Sequence, residues 1–297
     1  MSWRGTTKLR RWARFAGRRI SPGALALLYH RVAEVEYDPW SLCVSPRHFA
    51  EHVEVLRGRV RPLAALTGPE PDPSSVAITF DDGYADVLLA ARPILERCAA
   101  PASVFVATGP VASGQPFWWD ELEALRQATS DGRGAGRVDD RLRDQLSALS
   151  GRERRAQLDA LRAEAEGAPD VPAELRALTP DELLRLAEGG LVEIGAHSVS
   201  HPRLPVLEAD SRDREIRDSR AFLESLLGRE VTSFAYPHGL NDPSTRSSVE
   251  EAGFARAFTS ATGVVRARTD RLRLPRVQVP DCDGETFERF LFRLGWG

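Results

Sequence analysis

The chain has 297 residues, 42% of them hydrophobic and 28% charged, and its 40 basic and 43 acidic side chains leave a net charge of −3. That composition excludes a largely disordered chain and a fibrous rod. No stretch approaches the ~20 apolar residues of a membrane span, and the balanced charge argues against a surface built to hold nucleic acid.

Residues 1–20 form a basic tail, with seven basic and no acidic side chains between Met1 and Arg19. Arginines interrupt Trp12, Phe15 and Ile20, so the segment does not read as a secretory leader. Two readings remain. One is a solvated terminus; the other is an amphipathic segment lying on an anionic membrane surface through Trp3, Trp12 and Phe15. Without a leader, the chain is expected to be cytoplasmic, with peripheral membrane contact if the tail binds lipid. Cys43, Cys98 and Cys282 are scattered, with no C-x-x-C pair, which points to a reduced compartment and against a cysteine zinc site.

Short apolar or β-branched runs at residues 24–28, 76–80, 103–107, 192–195, 232–236, 256–260 and 274–279 predict buried strands. Helical patterns fall between them. Residues 46–56 place Phe49, Val53 and Leu56 on one face, and 85–98 and 208–227 follow the same logic, the last stopping at Gly228. Strands alternating with helices imply parallel βαβ units, in which chemistry gathers at the carboxyl ends of the strands. Residues 120–189 differ. They are rich in Arg, Glu, Leu and Ala without a strand signal, so they predict a helical insertion or lid with a mobile Gly-rich tip at 131–136. Thr179-Pro180-Asp181-Glu182 is a helix start with Thr179 as cap.

Two strand ends carry candidate chemistry. The run Val76-Ala-Ile-Thr-Phe-Asp81-Asp82-Gly83 ends in two carboxylates and a glycine. Two anions there repel unless a cation or hydrogen bonds divide their roles, although Asp-Asp-Gly is also ordinary turn chemistry. The run Glu193-Ile-Gly-Ala-His197-Ser-Val-Ser-His201-Pro202 places two imidazoles four residues apart after a strand, a common metal grip. Asp82, His197 and His201 together make a two-imidazole, one-carboxylate set that leaves positions open for water and substrate. Asp81 remains beside them to take a proton. Asp86 reads as a cap or pin for the following helix, and His48 and His52 as residues of an exposed helix face.

Thr79-Phe80-Asp81-Asp82-Gly83 with His197-Ser198-x-x-His201-Pro202 resembles the polysaccharide deacetylases of carbohydrate esterase family 4, the NodB homology proteins. Phe234-Ala235-Tyr236-Pro237-His238-Gly239 and Leu274-Pro275-Arg276-Val277 extend the resemblance over roughly residues 25–279. It implies an α/β fold, a distorted, incomplete (β/α) barrel, formed by one catalytic domain over residues 21–297 and interrupted by the helical insertion. It further implies one divalent metal ion, zinc first with cobalt, nickel or manganese as alternatives, held by Asp82, His197 and His201. Asp81 would be the general base. His238 would offer its backbone N–H to the oxyanion, and Tyr236, Pro237 and His238 would contact the sugar. Trp118 and Trp119 divide evenly between sugar stacking and packing of the insertion.

Two departures matter. Ala235 stands where the family carries the arginine that holds the base, so Arg276 is expected to reach Asp81 from another strand end. No histidine follows His238 to act as the late general acid. Leu27-Leu28-Tyr29-His30-Arg31 resembles the poly-N-acetylglucosamine deacetylase branch, where that motif stands at the N-terminus, and makes His30 the acid. The expected reaction is removal of N-acetyl groups from an N-acetylated amino sugar or glycan. The alternatives are an inactive glycan-binding domain and a deformylase or deacetylase of a lipid-linked or secondary-metabolite sugar. A glycosidase using Asp81 and Asp82 is disfavoured, since such carboxylates stand ~5 Å or more apart on different elements.

Overall fold

The computed structural model describes residues 23–36, 38–68, 70–128, 140–165 and 171–296. The basic tail and the Gly-rich tip at 131–136 lie outside them. Among the described residues nine strands are formed: β1 (Leu25–Tyr29), β2 (Arg31–Val32), β3 (Cys43–Val44), β4 (Val76–Phe80), β5 (Ala102–Val106), β6 (Val192–Ala196), β7 (Ser233–Ala235), β8 (Arg256–Phe258) and β9 (Val277–Gln278). Seven of them make one all-parallel sheet in the order β8-β7-β6-β5-β4-β1-β9. Each of the seven apolar runs in the sequence contributes one of these strands. The segment carrying β9 also touches the opposite edge, where Leu274 pairs in parallel with Phe258. The sheet therefore curls until its two edges meet at a single bridge, an incomplete (β/α) barrel.

Alternation along the strands separates two cores. Leu25, Leu27, Val76, Ile78, Phe80, Val104 and Val106 pack in the larger core with helix residues such as Phe49, Leu95 and Leu122. Ala24, Ala26, Ala77, Phe105, Ala235, Phe258 and Leu274 form a second cluster on the other face, the barrel interior. Alanines at four of these positions leave room near the axis. Thr79 and Asp81 continue the phase of Ala77 and so point inward.

Helices cover the outer face. Helix Pro46–Val55 is capped by Ser45, whose side chain accepts from His48 N. Helix Ala209–Leu227 stops at Gly228, which takes the left-handed conformation. The helix expected over 85–98 divides into a π-turn, Val87–Ala91, and an α-helix, Arg92–Arg97. Pro93 has no N–H to continue an α ladder, and the turn before it widens. Between β5 and β6 the described chain is helical, with Trp118–Ala128, Asp140–Ser147, Gly151–Glu164 and Pro180–Ala187. The last begins with the reciprocal Thr179–Glu182 capping box. No helix among the described residues is long and apolar enough to cross a membrane.

His52 corrects an expectation. It is fully buried, its Nε2 lies 2.7 Å from the Cys282 carbonyl, and its ring stacks 4.1 Å from Phe287. The partner is helix Gly284–Arg293, capped by Asp283, which the sequence reading did not include. Only His48 keeps to the surface, where it pairs with Asp281 at 2.6 Å.

Candidate metal centre

The site sits at the carboxyl ends of β1, β4 and β6 and the turn after β7. Beyond β4 the chain turns at Asp82 (φ 73°) and Gly83 (φ 90°). A Cβ on Gly83 would come within 3.2 Å of Val106, so the close approach to β5 and the left-handed turn both call for glycine there. Asp81 and Asp82 consequently take different directions. Asp81 faces the barrel interior, and Asp82 faces the loop after β6.

Asp82, His197 and His201 form a buried cluster in which one ligand atom from each lies within 4.8 Å of the others. Asp82 Oδ1 is 3.6 Å from both His197 Nε2 and His201 Nε2. Those separations are too long for hydrogen bonds, and Asp82 Oδ1 is a buried oxygen without a hydrogen-bond partner in the protein. They do match a coordination polyhedron, because ligand atoms about 2.1 Å from a tetrahedral ion stand roughly 3.4 Å apart. The donor set fits a divalent cation on chemistry as well. Burial first, then Asp81 and Asp120, push the Asp82 carboxyl well above its ordinary range, a burden a cation would lift. Burial also keeps both imidazoles below their ordinary value and so neutral, as ligands must be.

The surroundings orient these atoms. His197 Nδ1 lies 2.7 Å from the Ala235 carbonyl, which can only accept, so Nδ1 carries the proton and Nε2 presents its lone pair. His201 has no such outer partner, and its Nδ1 is buried without a hydrogen bond in the protein. Its backbone N–H instead accepts the help of Ser198, donating to that hydroxyl at 3.0 Å. Glu215, from helix Ala209–Leu227, holds the intervening turn, accepting from Val199 N at 2.9 Å, Ser200 N at 2.8 Å and Ser200 Oγ at 2.6 Å. Four site residues lie in the left-handed region without being glycine: Asp82, Ser198, His201 and His238.

Asp81 carries a bidentate partner. Arg276 Nη1 and Nη2 donate to its two oxygens at 2.6 and 2.7 Å, and Arg276 Nε donates to Thr259 O at 3.0 Å. Burial opposes the Asp81 charge, but Arg276, helped by His197, outweighs it and holds the carboxyl below its ordinary range. Arg276 itself is fully buried, over the Phe105 ring inside the barrel. Ala235, where the family pattern has its arginine, offers His197 its carbonyl and leaves space that Arg276 enters from the opposite edge of the sheet.

His30 follows β1 and lines the same cavity of about 520 Å³ as Asp81, Asp82, His197, His201 and His238. Asp86 pins the chain just beyond it, accepting from Arg31 Nε at 2.8 Å and Val32 N at 3.1 Å. It therefore clamps β2 and makes no cap on the following helix. Trp118 and Trp119 reach the cavity with only 8% and 7% of their surface exposed. Trp119 Nε1 donates to Tyr84 Oη, which donates to Asp120 Oδ2, both at 2.7 Å, so this pair ties the helical segment to the turn beyond β4. Tyr236 and Pro237 lie behind the wall, not on it. Tyr236 is fully buried, and its hydroxyl donates to Leu272 O at 3.0 Å. Trp40, Arg143 and Arg203 also line the cavity. Sequence reading did not select them, and the only available signal was that Arg203 directly follows His201-Pro202.

Known proteins resemble this chain in both sequence and fold. YxkH of Bacillus subtilis (strain 168), assigned to the polysaccharide deacetylases, is 20% identical over 274 residues, 89% of this chain and 75% of that protein. The deacetylase PplD of Streptococcus pyogenes, solved in complex with acetate, superposes with a TM-score of 0.64 at 20% identity, covering 90% of this chain and 97% of that one. IcaB from Ammonifex degensii gives 0.62 at 21% identity over 93% and 98%. The sequence profile described as polysaccharide deacetylase matches residues 68–257, which include the Asp81-Asp82 and His197–His201 motifs and the turn at His238. The chain belongs to the polysaccharide deacetylase family.

Proposed function

We propose that the protein is a metal-dependent N-deacetylase acting on an N-acetylated amino sugar or glycan. The observation that carries this reading is the orphaned Asp82 Oδ1 set 3.6 Å from two imidazole nitrogens, beside a carboxylate already clamped by Arg276. A divalent cation held by Asp82, His197 and His201, zinc first by its donor set, would polarise the acetamide carbonyl and acidify a water. Asp81, kept ionised by Arg276, takes the proton from the attacking water. The His238 backbone N–H faces the developing oxyanion. His30 returns a proton to the leaving amine nitrogen, and Asp86 fixes the backbone on which His30 stands. Helix Asp140–Ser147, part of the expected helical insertion, serves as one wall of the substrate cavity within a single catalytic domain.

Titrating metal-free protein with zinc tests the centre. One tight site is expected in the wild type and none in His197→Ala or Asp82→Asn. Acetate release from a chitooligosaccharide tests the reaction, and His30→Gln is expected to keep zinc while losing turnover. A correctly folded wild type without a tight site would refute the reading. Sugar binding without acetate release would instead describe a glycan-binding domain.

A further inference from the structure

Each carboxylate lining the cavity already has a place in the site or a basic partner. Asp81 is held by Arg276, Asp82 belongs to the ligand cluster, and Asp144 lies 3.6 Å from Arg143. Arg203 is the guanidinium left over. It lines the cavity, is half-buried, and its side chain makes no hydrogen bond or ion pair with any described residue. Its backbone is fixed. The Arg203 N–H donates to Ser147 O at 2.8 Å, and the turn Leu204–Val206 follows at once, with Leu204 fully buried. The side chain thus leaves a rigid stretch two residues beyond the ligand His201.

The same wall carries further positive charge. Arg143, on helix Asp140–Ser147, stands over the Trp40 ring at 5.3 Å, and both line the cavity. Behind them Arg154 is 2% exposed, and its guanidinium donates to the carbonyls of Leu146, Leu149 and Ser200. None of those acceptors is charged, so the Arg154 charge is offset only by Glu215 nearby. A guanidinium withdrawn from water without an anion is unfavourable. Its planar fork matches a carboxylate or phosphate through two parallel hydrogen bonds.

We infer that Arg203, with Arg143 on Trp40, forms an anion-reading subsite beside the metal centre, and that the substrate is an amino sugar bearing a phosphate or carboxylate near the acylated nitrogen. This inference rests on the deacetylase reading for the identity of the sugar. A neutral oligosaccharide would fill the cavity and leave Arg203 without its counter-charge.

Calorimetric binding to zinc-loaded protein decides it, with N-acetylglucosamine, N-acetylglucosamine 1-phosphate and N-acetylmuramic acid as probes. At least one anionic sugar is expected to bind about tenfold or more tightly than the neutral one, the size of a charge-assisted pair. The phosphate and carboxylate arms show which anion the site takes. Arg203→Gln is expected to remove that preference and leave the neutral sugar unchanged, and Arg203→Lys to keep part of it. Equal affinity for neutral and anionic sugars in the wild type overturns the proposal, whether or not the variants fold. So does a preference that survives in folded Arg203→Gln, which would place the anion on the metal. Acetate release from a chitooligosaccharide is measured in parallel. Its absence with an intact Arg203-dependent preference sinks the deacetylase reading alone, and its presence without that preference sinks the subsite alone.

Discussion

Replacing Arg276 with methionine removes a charge from the barrel interior at similar side-chain length. The wild-type guanidinium is fully buried and makes four bonds: two to Asp81 at 2.6 and 2.7 Å, one to Thr259 O at 3.0 Å and one to Thr79 Oγ1 at 3.3 Å. Without it, Asp81, whose side chain is 5% exposed, becomes a buried carboxylate that has lost its cation. Breaking such a pair destabilises by about 3–5 kcal/mol. The pH dependence separates this effect from lost packing. In the wild type the folded Asp81 pKa lies below its unfolded value, so the stabilisation is complete above the unfolded pKa and is lost as pH falls through the folded one. In Arg276→Met burial prevails and raises that pKa, so Asp81 takes up a proton and the penalty shrinks as pH falls. Urea unfolding of chelated protein at pH 7.5 and 4.5 should show the full loss at the higher pH and a markedly smaller one at the lower. Turnover near pH 7 should fall roughly a hundredfold or more, the usual worth of a positioned base. An equal destabilisation at both pH values, or unchanged turnover, would refute the reasoning.

Two further variants test other parts of the fold. Glu215→Ala removes the acceptor that holds Val199 and Ser200 between His197 and His201, and zinc affinity measured with a competing chelator should fall about 10–100-fold; unchanged affinity would deny Glu215 a positioning role. His52, buried first of all by its packing, has its pKa lowered from 6.5 to about 4. The stability it confers is therefore complete above ~6.5 and is lost as pH falls towards 4, by up to about 3 kcal/mol. His52→Phe should flatten that part of the stability–pH curve, and an unaltered slope would show that other groups set it.

The sheet was legible because parallel strands buried on both faces read as unbroken apolar runs, and each such run became a strand. The short pair β2–β3 was not, since two residues per strand leave no pattern and the pair depends on Arg31 meeting Asp86. The clustered residues Asp82, His197 and His201 were legible because Asp81-Asp82-Gly83 and the His197–His201 spacing are local features at strand ends. Contacts made only by closure of the barrel were not. Arg276 and Asp81 are 195 residues apart, and their pairing followed from a family resemblance and a missing arginine, not from any periodicity. His52 shows the converse failure. Its i, i+4 relation to His48 suggested a shared surface, but the helix Gly284–Arg293 arrives from the far end of the chain and covers one of the two.

The left-handed backbone at Asp82 and His201 has a consequence for how this fold ages. Aspartate and histidine tolerate that region better than most residues but still at some expense, whereas glycine and asparagine sit there readily. On the proposed mechanism, selection for the reaction keeps the Asp82 and His201 side chains against a standing local preference for glycine or asparagine. Once that selection lapses, drift towards glycine or asparagine would stabilise the turn while deleting a proposed ligand. A descendant with those residues at 82 and 201 would retain the path of the chain and lack the proposed metal centre. The two positions would thus distinguish working copies from retired ones by sequence alone.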